Sequence, residues 1–338
     1  MPRNIMSFCP NLDMLTKEEM ATFLATQLFG DPDFAALLNA RYDQMGELFR
    51  DAHFDDPRWD LPDRNDPRWD LPGYRCENCA TPNKRDARLK VPRNKIHCYG
   101  NNANVTRLFD YDNFGHDMPV WVSYNDDPNA RRVMIVSQDP LRGSKTARGD
   151  NDERGFLYLS TPFGVHSCDF ESGGMDTQVK RMLYAFLDEG FCVYLTDNMK
   201  FYATQANEKG QNINVIGWGR RDNEGYKGRF SKVMAAEIEK FNPQLIITLG
   251  VKARGEKWTD SILSSVRHPR DGMCPRSIEY VDTNGTRVTR YAMALVHPSR
   301  ANQWIERWQL DDLGGAGAVD RYFERAIGTA IDQLQLLN

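Results

Sequence analysis

The chain has 338 residues, enough for one large domain or two ordinary ones. It is 41% hydrophobic and 27% charged, the composition of a soluble globular protein. Its net charge of -4 excludes binding to polyanions through bulk charge, so any nucleic-acid contact must come from local basic patches.

The first residues, Met1 to Met6, lack the apolar core of a secretory signal. No window has the unbroken apolar length of a membrane span, so a cytoplasmic protein without membrane contact is expected. Residues 13–50 carry helical periodicity. Thr16 with Glu19 fits a capping box, and Met20, Phe23, Leu24 and Leu28 follow at helical spacing. Gly30, Asp31 and Pro32 break the pattern. A second helix is expected from about Asp33 to Arg50, with Phe34, Leu37, Leu38, Tyr42, Met45 and Phe49 on one side. A tandem follows, in which Asp56 to Pro62 recurs as Asp66 to Pro72, each copy reading Asp-Pro-Arg-Trp-Asp-Leu-Pro. The prolines favour extended or turn structure. Trp59 and Trp69 pack this linker onto the domain, or stack on exposed bases.

Cys76 and Cys79 form a C-x-x-C pair, half of a tetrahedral zinc site, and His97 with Cys98 can supply the remaining ligands. Lys84, Arg85, Arg88, Lys90, Arg93 and Lys95 lie between the two halves, opposed only by Asp86. A metal-pinned loop with those cations suits phosphate contacts. The alternative is free thiols beside a solvated basic loop. An odd number of cysteines, seven, argues against a disulfide framework.

From Val120 the pattern turns to strands. Val120 to Tyr124 is extended, and Val133 to Val136 is a continuous apolar run, as in a parallel strand buried on both faces. That run ends in Ser137, Gln138, Asp139 and Pro140, which places a carboxylate at a strand's carboxyl end, where open α/β sheets keep their ligand sites. Phe156 to Leu159 is short and apolar. Asp176 to Glu189 reads as an amphipathic helix, and Phe191 to Thr196 as a second buried strand, ending in Asp197, Asn198, Met199 and Lys200. Residues 205–229 are polar and glycine-rich, a surface loop whose Arg220 and Arg221 can meet backbone phosphate. Ser231 is expected to cap a helix running to about Phe241. Leu245 to Leu249 is a third buried strand, closed by Gly250. Asn284 with Gly285 signals a hairpin between Ile278 to Asp282 and Arg287 to Tyr291. Tyr291 to Val296 runs into His297, Pro298 and Ser299; Trp304 to Trp308 belongs to a helix, and the last helix spans about Asp320 to Leu336. Strands alternating with helices predict a mostly parallel sheet with helices on both faces.

Four ordered segments resemble the uracil-DNA glycosylase superfamily: Gln138-Asp139-Pro140 after an apolar strand, Val193 to Thr196 with Lys200, Leu245 to Gly250, and His297-Pro298-Ser299 after a strand. The resemblance covers about 133–310. It implies a three-layer α/β/α fold with a central, mostly parallel four-stranded sheet, here at 119–338, preceded at 1–118 by a helical, cysteine-containing extension. It implies a monofunctional DNA glycosylase that draws a base out of double-stranded DNA and hydrolyses its bond to deoxyribose. By the same resemblance Asp139 positions water and stabilises the sugar cation, and His297 hydrogen-bonds the base oxygen as negative charge develops. No cofactor is required for this step; a zinc ion on the cysteines would be structural. Gln138, Leu141, Tyr158, Asp197 and Asn198 fall at base-binding positions, and Arg142, Lys200, Ser299, Arg300 and Gln303 fall where DNA would pass. Some members carry an iron–sulfur cluster, for which Cys76, Cys79, Cys168 and Cys192 are the available thiols.

The departures from the family pattern bear on the substrate. Leu141 stands where the uracil enzymes commonly have a Tyr that blocks a C5 substituent, leaving room for a larger base. Asp197 stands where they have a base-reading Asn. An ionised Asp only accepts hydrogen bonds, which suits the amino group of cytosine. These residues together predict a C5-modified cytosine, such as the glucosylated hydroxymethylcytosine of phage DNA, and a role in phage defence. A one-residue shift puts Asn198 in that position and restores a uracil enzyme of base-excision repair. Of another class, a non-catalytic DNA-binding protein could keep the fold. An unrelated nucleotide-binding enzyme is disfavoured, since neither G-x-x-x-x-G-K-[ST] nor G-x-G-x-x-G follows a predicted strand. No protein partner is inferable from the residues.

Overall fold

The computed structural model describes residues 6–7, 16–26, 35, 90–91, 113–117, 119–124, 127–138, 157–160, 176–199, 201–204, 226–250, 262–271, 273–308 and 315–336. The expected second helix (Ala35 apart), the tandem repeat, and the cysteine-bearing basic loop (Lys90 and Val91 apart) lie outside them.

The described strands are β1 (Met6–Ser7), β2 (Lys90–Val91), β3 (Asn113–Asp117), β4 (Val120–Ser123), β5 (Arg132–Ser137), β6 (Leu157–Ser160), β7 (Cys192–Asp197), β8 (Phe201–Thr204), β9 (Leu245–Leu249), β10 (Arg276–Val281) and β11 (Arg287–Leu295). The helices are α1 (Lys17–Leu24), α2 (Asp176–Asp188), α3 (Tyr226–Phe241), α4 (Ala301–Arg307) and α5 (Ala318–Leu336). The fold is mixed α/β.

A seven-stranded sheet runs in the order β1-β4-β7-β5-β9-β11-β10. β5 pairs in parallel with both β7 and β9, and β9 pairs in parallel with β11. The flanking strands are antiparallel: β4 against β7, and β10 against β11. The sheet is therefore mixed and wider than the four strands expected. Part of the reason is local, since β10 and β11 are joined by a short turn and can only pair antiparallel. A separate four-stranded sheet, in the order β2-β6-β3-β8, was not anticipated. Its β6 is the short apolar run at Phe156 to Leu159, and its β8 follows directly on the polar end of β7.

Every residue of β7 and β9 is buried, and so is β5 from Val133 onward. Successive side chains alternate between faces, so the continuous apolar run requires cover on both sides. The connection from β5 to β7 moves one way across the sheet, and that from β7 to β9 moves back past β5. Right-handed crossovers in opposite directions put α2 and α3 on opposite faces. Contacts agree for α3, whose Phe241 ring lies 4.8 Å from the Tyr194 ring of β7. α2 packs with α5, where Gln178 Nε2 donates to Asp320 Oδ1 at 2.6 Å. At the N-terminus the capping box forms as expected: Glu19 N donates to Thr16 Oγ1 and Thr16 N to Glu19 Oε2, both at 3.1 Å. Met20, Ala21 and Ala25 join the same apolar core as the central strands.

One local expectation is corrected and another is borne out. Ser231 does not cap α3, which starts at Tyr226; the helix takes in the last residues of the expected loop. The expected hairpin between β10 and β11 forms, with a turn from Asp282 to Thr286. Val281 pairs with Arg287, and of the turn residues only Gly285 has positive φ, at 83°. A two-residue type I′ turn needs positive φ at both central positions. Here the Asp282 side chain organises the loop, accepting from Asn284 N at 2.9 Å and Thr286 N at 2.7 Å.

Ile135 is fully buried in the middle of β5, between two parallel neighbours. Ile135→Ala is expected to lower unfolding free energy by about 2–5 kcal/mol in urea denaturation. A loss under about 1 kcal/mol would mean that this strand is not the centre of the core.

Candidate functional site

The connections leaving β5 and β9 go to opposite sides of the sheet, so the carboxyl ends of these neighbouring strands flank a topological switch point. Open α/β sheets hold ligands in the crevice this creates. The polar residues singled out in the sequence line up along this edge. Asp197 ends β7 in register with Ser137 of β5. Past the ladder the backbones stay joined: Asn198 N donates to Ser137 O at 3.0 Å, and Met199 N to Gln138 O at 2.9 Å. These bonds draw Asn198 alongside Gln138. Asp197 and Asn198 are each 1% exposed, and Gln138 is half-buried. The Asn198 Nδ2 group has no hydrogen-bond partner among the described residues.

His297 follows β11, one strand beyond β9. Gly250 N donates to Leu295 O at 2.7 Å, which ties the ends of β9 and β11 together. Gly250 has φ +83°, and a β-carbon there would lie 3.0 Å from the His297 Cβ. Both its backbone conformation and its missing side chain are therefore required for His297 to sit against it. On the other side, Val296 N donates to the Tyr322 hydroxyl at 3.1 Å, inside the core. Burial pushes the Tyr322 pKa up to about 12, so it stays a neutral phenol. Burial, and then the Arg300 guanidinium, lowers the His297 pKa to about 4. The imidazole is neutral at physiological pH, so it can hydrogen-bond but carries no charge.

A set of buried polar groups that the sequence reading did not single out supports the end of β7 from below. Asp117, at the end of β3, accepts at Oδ2 from Thr196 Oγ1 at 2.8 Å and from Asp197 N at 3.1 Å. Thr196 Oγ1 also lies 3.4 Å from both carboxylate oxygens of Glu237 on α3. Asp117, Thr196 and Glu237 are fully buried. A hydroxyl has one proton to give, and the distances assign it to Asp117. Glu237 did carry a signal in the sequence: a carboxylate falling between Val233 and Phe241 in the apolar stripe of a helix. Asp117 carried none.

The remaining sequence candidates divide as follows. Arg300 and Gln303 are exposed on the segment after His297, and Ser299 lies in the 3-10 turn Pro298–Arg300. Tyr158 belongs to β6 of the second sheet, in register with Gly115 of β3. Asp139, Leu141, Arg142, Lys200, Arg220, Arg221, Cys76, Cys79, His97, Cys98 and Cys168 lie outside the described residues. Cys192 is buried in β7. Among the described residues no group of three His, Cys, Asp or Glu side chains is disposed to hold a metal, and no helix is long and apolar enough to cross a membrane.

No family model and no curated protein sequence matches the chain.

The depressed His297 pKa has a defined sign in folding. Stability present above pH 6.5, the unfolded value, is lost as pH falls through the window down to about 4. Between pH 7 and pH 5 the wild type should therefore lose more unfolding free energy than His297→Gln. Equal losses would show that burial of this imidazole is not linked to folding. Tyr322→Phe removes the acceptor for Val296 N, and an unsatisfied buried donor typically costs about 1–3 kcal/mol. If the hydroxyl also positions the strand end, NMR titration will show the His297 midpoint move up toward 6.5 in Tyr322→Phe; an unmoved midpoint would limit Tyr322 to a packing role.

Proposed function

We propose that the chain is a DNA glycosylase of the uracil-DNA glycosylase type, acting on DNA with the target nucleotide turned out of the helix. The observation that carries this reading is the neutral His297, pressed against Gly250 at one end of a line of strand ends that also bears Gln138, Asp197 and Asn198. The parallel pairing of β7, β5, β9 and β11 supports it, since it brings together the strands that hold the resembling segments.

In the proposed reaction the bond between C1′ of the sugar and the base nitrogen breaks. The electron pair leaves with the base, and water adds its oxygen to C1′ and releases a proton. Asp139, the residue after Gln138 in the sequence, orients that water and offsets the positive charge on the sugar. His297 donates a hydrogen bond to the oxygen of the departing base. A neutral imidazole suits this role, because it stabilises developing negative charge without protonating the base beforehand. Asp197 and Asn198 contact the edge of the base. Arg300 and Gln303, exposed beyond His297, lie along the path of the strand.

The favoured substrate is a C5-modified cytosine, such as glucosylated hydroxymethylcytosine of phage DNA, admitted by Leu141 and read by the accepting Asp197. In this reading the enzyme serves phage defence in the cytoplasm. A second reading has a specific observation behind it. The buried Asn198 Nδ2 donor lacks a partner among the described residues. A donor there matches O4 of uracil, and it favours a repair enzyme.

The deciding assay measures abasic sites on duplexes containing uracil, cytosine or glucosylated hydroxymethylcytosine. Product from the glucosylated duplex is expected, and it should be abolished in Asp139→Ala. His297→Ala should slow the step by about 10²–10³, the cost of losing one pre-organised donor. Activity on uracil alone would select the second reading. Binding without abasic product on any duplex would sink both and leave a DNA-binding protein.

A further inference from the structure

Beside the strand-end site stands a pile of flat side chains that the proposed chemistry does not use. α4 begins directly after the 3-10 turn that follows His297. Ala301 and Ile305 bury one side of this helix. Arg300, Trp304, Arg307 and Trp308 recur at the spacing of a second stripe. The Trp304 and Trp308 rings stack with centroids 4.7 Å apart and planes at 25°. His268 meets Trp308 edge-on at 4.9 Å. Its Nδ1 accepts from Arg270 N at 3.2 Å, which fixes the ring and leaves its proton on Nε2. The Arg307 guanidinium carbon lies over the Trp304 ring, 5.2 Å from its centroid. Both tryptophans are half-buried, whereas Arg270, Arg300 and Arg307 are exposed. Glu306 is the exposed acid of α4.

We propose that this edge of α4 binds an unpaired stretch of single-stranded DNA, with one base stacked on the Arg307 guanidinium and the flanking phosphates held by Arg270 and Arg300. The pile ends in a planar cation open to solvent, and nucleobases stack on guanidinium planes as well as on aromatic rings. The Trp304 ring attracts that guanidinium and limits its positions, so less freedom is lost when a base arrives. Paired bases in a duplex hide their faces, so the occupant is unpaired. The surface adjoins the proposed active site, and in that respect it rests on the glycosylase reading: it would receive an unpaired stretch of the strand that carries the target nucleotide.

The test is fluorescence anisotropy of the full chain with a labelled single-stranded oligonucleotide of about 12 nucleotides, within the usual span of such sites. The comparison ligand is a phosphodiester chain of the same length and charge with tetrahydrofuran units in place of nucleosides. The base-bearing strand should bind about tenfold more tightly, as one base–side-chain stack allows. Arg307→Lys keeps the charge and loses the plane, so it should bring the two ligands to equal affinity with an unchanged salt dependence. Arg300→Gln should reduce the slope of log affinity against log salt by about 0.7, the value for one single-strand phosphate contact. Equal binding of the two ligands by the wild type, or a base preference that survives Arg307→Lys, would overturn the proposal. Both substitutions are exposed, and matched melting curves will establish that the variants fold. Abasic-site formation, measured on the same proteins, separates the two proposals. Base-dependent binding without abasic product would retire the glycosylase and leave the surface. Abasic product without base-dependent binding would do the reverse.

Discussion

His297 stands where it does because Gly250 has no β-carbon. The strand end of β9 turns through positive φ and passes so close to His297 that a methyl group would sit 3.0 Å from its Cβ. The same glycine donates its N–H to Leu295, closing the seam between β9 and β11. The site-forming edge is therefore held by backbone. Side chains add to it at Tyr322, under Val296, and at Asp117, under Asp197. A parallel sheet makes this economical, because every strand end it contributes points the same way and is already tied to its neighbour.

The supporting polar groups divide into two kinds. Tyr322 is neutral and makes a single bond to a backbone donor, so it locks geometry with little electrostatic consequence. Asp117 and Glu237 are carboxylates buried on either side of the Thr196 hydroxyl. Removing carboxylates from water is costly unless hydrogen bonds compensate, and such groups persist in a core where they fix one arrangement over others. Asp117 does so visibly, spending one oxygen on both the Thr196 hydroxyl and the Asp197 amide. It reaches the end of β7 from the second sheet, so that sheet has a direct mechanical link to the polar edge.

Much of this was legible in the sequence wherever the signal was local. The continuous apolar runs at Val133 to Val136 and Leu245 to Leu249 became buried strands, and Thr16 with Glu19 formed its capping box. What sequence could not supply was partnership. That β4 lies beside β7 rather than β5, and that the short runs at Leu157–Ser160 and Phe201–Thr204 join a second sheet around β3, depends on contacts between distant segments. The Asn284-Gly285 signal marked the hairpin between β10 and β11, whose turn the Asp282 carboxylate organises. For the candidate site, Gln138, Asp197, Asn198 and His297 were identified as strand-end residues and do lie at strand ends. Asp117 and Tyr322, which hold the edge in place, escaped notice because nothing near them in the chain points to the distant backbone amides they bind.

The neutrality of His297 constrains any chemistry assigned to this edge. Two causes hold its proton affinity down, burial first and the Arg300 charge second. Both persist when a polyanion binds only if Arg300 keeps its charge exposed. A phosphate laid against Arg300 would offset the guanidinium and remove that part of the depression, while the added burial would deepen the rest. Arg300 N donates to His297 O at 3.0 Å, so the backbone fixes the two residues together regardless of what the side chains bind. In the proposed glycosylase this makes the imidazole a hydrogen-bond donor whose strength rises as water is excluded. The desolvation that keeps His297 uncharged is then the same condition that makes its hydrogen bond effective on a base oxygen becoming anionic.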